Sequence, residues 1–315
     1  MPARQSSPHS QQAVPHQADV LLVTATQIEA LAVLGLAGEA SGQAHQRRHI
    51  GDKTFYDLGS IADTRVWMVQ SGMGTTGPGG ALLTVQKGIA ALDPAALIMV
   101  GVAFGVDPER QRIGDVLVSR QIVLYEQQRL GTREDALDIR VRGDRPSASS
   151  RLLDRFESAA LERALGLQTP ERPAVHFGLL FSGEKLIDHR AWRDALLALE
   201  PEAVGGEMEG GGLYTAASDR KVDWIIAKAI CDWADGGKHI DKHNNQTLAA
   251  HNAARLVLEV LQHGGLGRPA EALAEPTSTP ASAPGGLQFH NYTSNQGAQG
   301  LFQGPVTVNT HNKSQ

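Results

Sequence analysis

From Asp19 to about Gln262, short apolar runs alternate with amphipathic stretches. Val20 to Thr24 (VLLVT) has strand length, and Gln27 to Leu34 reads as a helix. Phe55 to Ile61 and Val66 to Gln70 read as strands, followed by a Gly-rich turn and a helix from about Gly79 to Ala91. Ala96 to Val102 (ALIMVGV) carries no polar alternation, which predicts a strand buried on both faces. Further strands are expected at Val116 to Tyr125, His176 to Phe181 and Val222 to Ile230 (VDWIIAKAI). Helices are expected at Ser150 to Ala164, His189 to Leu199, Gly210 to Lys221 and Asn244 to Gln262. Strands interleaved with helices predict a layered α/β domain over residues 18–262.

Both ends differ from this body. Residues 1–17 are rich in Gln, Ser, His and Pro and read as a disordered leader. Residues 263–286 collect Pro, Ala, Ser and Thr without periodicity and read as a linker. Residues 287–315 form a third kind of segment, rich in Asn, Gln and Gly with spaced apolar residues.

Composition narrows the function classes. A net charge of -5 argues against broad binding to nucleic acid or to an anionic membrane. No apolar run is long enough for a transmembrane helix, and the first residues lack the apolar stretch of a secretory signal, so a cytoplasmic protein is expected. The single cysteine, Cys231, excludes an internal disulfide and a multi-cysteine metal site. His239 and His243 stand four apart in HIDKH, without the Glu of HExxH or a third ligand, so no metal is expected. No cofactor is expected either.

Four places could carry chemistry, and each has an ordinary alternative. Gly72, Gly74 and Gly77 match G-x-G-x-x-G, but such a short match in a Gly-rich chain more often marks a tight turn, or a nest of amides facing another polar ligand. Glu207 and Glu209 open an expected helix, where acids commonly favour the dipole. Asp232 ends an apolar strand, where α/β sheets place ligands, although Asp is also a common cap. Glu29 lies just past the first strand, where a solvated helix acid is the ordinary reading.

Taken in order, these signals resemble one family. Glu29 after TAT, SGMG at Ser71 to Gly74, VGVAFG at Val100 to Gly105, GDV at Gly114 to Val116, FSGEKLI at Phe181 to Ile187, EMEG at Glu207 to Gly210 and AICDWAD at Ala229 to Asp235 are similar to the nucleoside phosphorylase superfamily. The branch they resemble most is that of the methylthioadenosine/S-adenosylhomocysteine nucleosidases. The resemblance implies a three-layer αβα sandwich around a central mixed sheet, a homo-oligomer of at least two chains, and cleavage of a purine nucleoside or nucleotide at its N-glycosidic bond. It implies that Asp232 protonates the base and that Glu29 holds and deprotonates water. It places Glu209 and Met208 at the ribose, Leu186 and Ile187 at the base, and Glu207, Val102, Gly74, Cys231 and Trp233 among the other substrate-binding residues.

Phosphorylases of the family carry arginines in the first loop and near the VGVAFG segment. Here both regions, TATQIEA and IMVGVAFG, lack Arg, which favours water over phosphate as the nucleophile. Val102, Leu186 and Trp233 depart from the residues usual in the nucleosidases, which leaves the 5′ group of the substrate open. Lys185, Arg190 and Arg193 are candidates for phosphates, against the ordinary reading of a solvated helix start. A phosphorylase and a non-catalytic nucleoside-binding sensor are the alternatives. The tail stretch Gly297 to Asn309 (GAQGLFQGPVTVN) is similar in composition to amyloid signalling motifs. That similarity implies a signalling partner acting through residues 287–315 and an antiviral effector role.

Overall fold

The computed structural model describes residues 16–133, 135–165 and 172–268. The expected leader up to residue 15, the expected linker beyond 268 and the whole segment 287–315 lie outside the described residues.

The strands are β1 (Val20–Thr24), β2 (Gln46–Ile50), β3 (Lys53–Ile61), β4 (Thr64–Gln70), β5 (Ala96–Gly105), β6 (Val116–Leu124), β7 (Gln128–Arg133), β8 (Ala136–Val141), β9 (Val175–Ser182), β10 (Ala203–Glu207) and β11 (Asp223–Asp232). The helices are α1 (Gln27–Ser41), α2 (Ala81–Leu92), α3 (Ser150–Leu165), α4 (Arg190–Leu199), α5 (Gly210–Arg220) and α6 (Lys242–Gln262). Every element expected from the apolar pattern is present. Four strands were not legible in that pattern. β2 (QRRHI) has almost no buried residue, β7 and β8 form an exposed hairpin, and β10 (AVGGE) is short with two glycines. None of them shows the apolar run by which a strand is recognised.

The main sheet has nine strands in the order β10-β9-β6-β11-β5-β1-β4-β3-β2. β4, β1, β5 and β11 run parallel, so their carboxyl ends share one edge. β6 joins β11 antiparallel, which makes the sheet mixed. The end of β5 also pairs with β10, Gly205 opposite Gly105 and Gly206 opposite Phe104, so one half of the sheet closes on itself. Each of these glycines lies where a Cβ would collide with a neighbour, Gly205 with the Phe104 carbonyl oxygen at 2.4 Å, which is why the closure is made of glycine. α1, α3 and α6 pack together over β5 and β11, while α2 and α5 form a second helical pair against the sheet. The central strands β1 and β5 are buried almost throughout, as the uninterrupted apolar runs require.

After α6 the chain remains attached. Leu266 is buried, the Gly265 amide donates to Asp63, and Arg268 donates to Asp19 and Asp93. Thus the first residues of the expected linker belong to the packed body. Among the described residues no helix is long and apolar enough to cross a membrane.

The GDV motif has a structural task. The buried Asp115 carboxylate accepts from the Arg112 amide (2.9 Å), the Ala174 amide (2.9 Å) and His176 Nε2 (3.0 Å). These bonds fix the starts of β6 and β9. Burial opposes the charged form, but the hydrogen bonds from His176 and the two amides outweigh it and hold the carboxyl below 3.8. A carboxyl held low when folded stabilises fully above pH 3.8, and that stabilisation fades as pH falls through the folded value. Asp115→Ala is expected to cost about 2–3 kcal/mol by leaving amides without an acceptor. The check is a lower urea midpoint at neutral pH with an unchanged slope.

Candidate active site

A pocket of about 140 Å³ opens at the carboxyl ends of β1, β5 and β11. Glu29, Val102, Leu186, Ile187, Glu207, Met208, Glu209, Cys231 and Asp232 all line it. Residues spread from position 29 to 232 thus converge on the sheet edge where parallel α/β strands place ligands.

Glu29 enters from the first turn of α1. Its backbone amide reaches the Thr26 hydroxyl and its carboxylate returns to the Thr26 amide, a capping box. The same carboxylate accepts from the amides of Thr26 (2.7 Å), Ala25 (2.8 Å) and Val102 (2.8 Å). It lies over Gly101, where a Cβ would stand 2.2 Å from Glu29 Oε1. So β5 needs glycine there. Glu29 is 2% exposed, which overturns its reading as a solvated helix acid. Burial raises its pKa above 4.5, with Glu209 adding to the rise; Lys228 and the Ala25 and Val102 amides oppose it without cancelling it.

Lys228 is the centre of the charge arrangement. It stands in β11 opposite Gly101 and is 1% exposed. Its Nζ lies 2.9 Å from Glu207 Oε2 and 2.5 Å from Glu209 Oε2. Burial alone would lower its pKa, but Glu207, Glu209 and Glu29 reverse the effect, and the ammonium is held charged. Glu207 also accepts from the Glu209 and Gly210 amides at the start of α5, so both of its oxygens are occupied. Glu209 accepts the Gly74 amide at 2.7 Å, which leaves its carboxylate bridging Lys228 and the Gly-rich loop.

Asp232 reaches the pocket through a β-bulge. The register of β11 against β5 shifts between Ile230 and Asp232. The extra residue re-aims the strand end, and Cys231 and Asp232 both line the pocket. The Cys231 thiol donates to Asp232 Oδ2 at 3.1 Å, and burial pushes that thiol's pKa up, so it stays protonated. Oδ1 accepts the Ala234 amide at 3.0 Å. Lys238 Nζ stands 3.1 Å from Oδ2.

Two residues expected around the substrate are not on the wall. Gly74 acts through Glu209, and its φ of 87° suits glycine. Trp233, just beyond the end of β11, is directed elsewhere: its ring packs over Gly105 and its carbonyl accepts from Arg193. The Gly-rich loop turns its Thr75 and Thr76 amides to Glu184, so these amides serve the chain's own carboxylate. Arg193 is buried against Asp194 and the Trp233 carbonyl, and Arg190 pairs with Asp235 at 3.7 Å. Lys185 does line the pocket and pairs with Glu126. Sequence reasoning missed Lys228, Lys238 and Lys242. A lysine inside the apolar run VDWIIAKAI was the available signal for the first, since a buried Lys needs a partner.

The profile of the phosphorylase superfamily matches residues 19–262. A death domain-containing ATP nucleosidase of Amphimedon queenslandica is 29% identical over 260 residues, covering 76% of this chain and 48% of the relative. An ATP nucleosidase of Escherichia coli (strain KTE188) is 24% identical over 266 residues, 79% of this chain and 52% of the relative. The chain therefore spans about half the length of these curated relatives. Among solved structures, a 5′-methylthioadenosine/S-adenosylhomocysteine nucleosidase from Neisseria meningitidis in complex with methylthio-immucillin-A superposes with a TM-score of 0.63 at 20% identity, covering 78% of this chain and 98% of that one. Futalosine hydrolase of Helicobacter pylori gives a TM-score of 0.63 at 18% identity, over 79% and 98%. The fold is shared with these structures, the profile runs through the whole body from β1 to α6, and the chain belongs to the phosphorylase superfamily.

Proposed function

We propose that the chain is a purine N-glycosidase that hydrolyses the N-ribosidic bond of an adenine nucleoside or nucleotide. The observation that carries this reading is that Glu29 and Asp232, from opposite ends of the chain, line one small pocket in two different environments. Glu29 is held by backbone amides alone, while Asp232 has a thiol and an ammonium beside it. The names of the relatives, ATP nucleosidases among them, support the substrate class.

In this reading the C1′–N9 bond breaks with its electron pair passing to the base. Asp232 gives a proton to the base, so that it leaves neutral. A water oxygen bonds to C1′ and passes a proton to Glu29. The sum is one water consumed, with free base and free sugar as products. Ribose gains positive charge in the transition state, and buried carboxylates beside it stabilise that charge. Glu209 faces the ribose, while Glu207 and Lys228 hold Glu209 in place. Amide donors fix the Glu29 carboxylate, and its raised pKa suits a base working near neutrality. A homo-oligomer and a cytoplasmic setting belong to the same proposal. One relative is named for a death domain joined to its nucleosidase, which supports reading residues 287–315 as a signalling arm of an antiviral effector.

Asp232→Asn and Glu29→Gln should each lower base release by roughly 10²-fold or more, without loss of fold by circular dichroism. Chromatography should show adenine released equally with and without phosphate; a phosphate requirement would mark a phosphorylase instead. For the wild type, kcat/KM should fall on the acid side with a limb above pH 4.5, since Glu29 must be ionised and its pKa is raised. Lys228→Met removes the cation that lowers that pKa, so the limb should move to still higher pH. The same variant should lose about 3–5 kcal/mol of stability, because two buried carboxylates lose their cation. Lys228→Arg keeps the charge and should retain much of both properties.

A further inference from the structure

The outer part of the pocket has the opposite charge character from its floor. Lys238 and Lys242 line it, together with Gln246 one helical turn beyond Lys242. Among the described residues Lys242 forms no ion pair and the Gln246 side chain makes no hydrogen bond. α6 begins at Lys242 with Asp241 as its N-cap, whose carboxylate accepts from Asn244 and offsets the positive end of the helix, so the positive charge here is that of the lysines. Lys238, only 17% exposed, has Asp232 as its sole ion-pair partner among the described residues. The segment that carries it is pinned by Asp188, which accepts the Gly236 and Lys238 amides, and contains Gly236 at φ 95°.

This contact conflicts with the task proposed for Asp232. A carboxyl that gives up a proton must first carry one, and a protonated carboxyl no longer attracts an ammonium at 3.1 Å. An ammonium that close favours a carboxylate over a carboxylic acid, so drawing it away would favour the proposed task. A phosphoryl group on the sugar's 5′ oxygen would present the strongest competing anion, and two lysines with an amide side chain suit its oxygens.

We propose that Lys238 is a substrate-sensing switch: it restrains Asp232 in the empty site and is drawn off by the 5′-phosphates of a nucleotide, with Lys242 completing the phosphate subsite. This rests on the N-glycosidase reading and deepens it. The substrate class becomes nucleoside 5′-phosphates, and a bare nucleoside leaves Lys238 on Asp232 and turns over slowly. The proton that Asp232 then takes comes from solvent and passes to the base.

The test compares adenosine, AMP and ATP as substrates for the full chain and for Lys238→Met, with adenine release read by chromatography. The wild type should favour ATP over adenosine. In Lys238→Met, kcat/KM for ATP should fall roughly 10- to 100-fold, the size of a lost charge-assisted contact. At the same time kcat for adenosine should rise, because the restraint on Asp232 is gone. A merely structural lysine would lower both. Lys242→Met should raise KM for ATP, whereas loss of a switch alone would leave it. If the wild type cleaves adenosine and ATP equally, or Lys238→Met lowers both substrates alike, the switch is overturned while the N-glycosidase reading stands. If no compound releases base from the wild type, both fall together.

Discussion

One buried cation holds the site together. Lys228 has no access to water, and Glu207, Glu209 and Glu29 are its electrostatic neighbours. A charge removed from water is tolerated only when it is paired and its hydrogen bonds are met. Each carboxylate here has such an arrangement. Glu207 is bonded to the start of α5, Glu209 to the Gly-rich loop and Glu29 to the β1–α1 turn and β5. The lysine thus joins, through three acids, segments that are far apart in sequence. Three acids and one cation leave excess negative charge on the pocket floor. Burial is what pushes Glu29 toward protonation, with Glu209 adding to it and Lys228 opposing it, and the acid-rich floor suits the positive sugar of the proposed reaction.

The backbone supplies the room for this cluster. Gly101 lets the Glu29 carboxylate lie on β5, directly across the ladder from Lys228. Three positions later β5 turns to pair with β10, whose end carries Glu207. The register shift in β11 then falls just before Asp232, which lines the pocket. The shift sets Asp232 opposite Phe104, where a regular ladder continuing from Lys228 and Gly101 would set it opposite Gly105.

This explains what could be read in the chain. β1, β5 and β11 were legible because buried strands leave uninterrupted apolar runs. Glu29, Glu209 and Asp232 were legible only as an ordered set, since each alone looks like a helix or turn acid. β2 and the β7–β8 hairpin left no trace, because exposed strands need no apolar pattern. The register shift before Asp232 could not be foreseen, since a bulge arises from pairing and not from local sequence. Lys238 and Lys242 looked like ordinary surface lysines in DGGKHIDKH, and only the closing of α6 over the pocket gives them a place.

The ion pairs of the pocket fall into an inner and an outer set: Lys228 answers Glu207 and Glu209, while Lys238 answers Asp232 and Lys185 answers Glu126. A charged ligand that breaks one of these pairs must replace the partner it displaces. The inner pair is fully buried and held by several backbone amides, so separating it would strand charges in a dry interior. The Lys238–Asp232 pair is nearer water, and since Asp188 holds the Lys238 backbone, its cation can leave Asp232 by side-chain rotation alone. An anion entering from the side of α6 meets this pair first. A buried inner set and a more accessible outer pair would let a single pocket keep its inner geometry fixed while responding to the charge of what enters it, which is the division of labour the proposed switch needs.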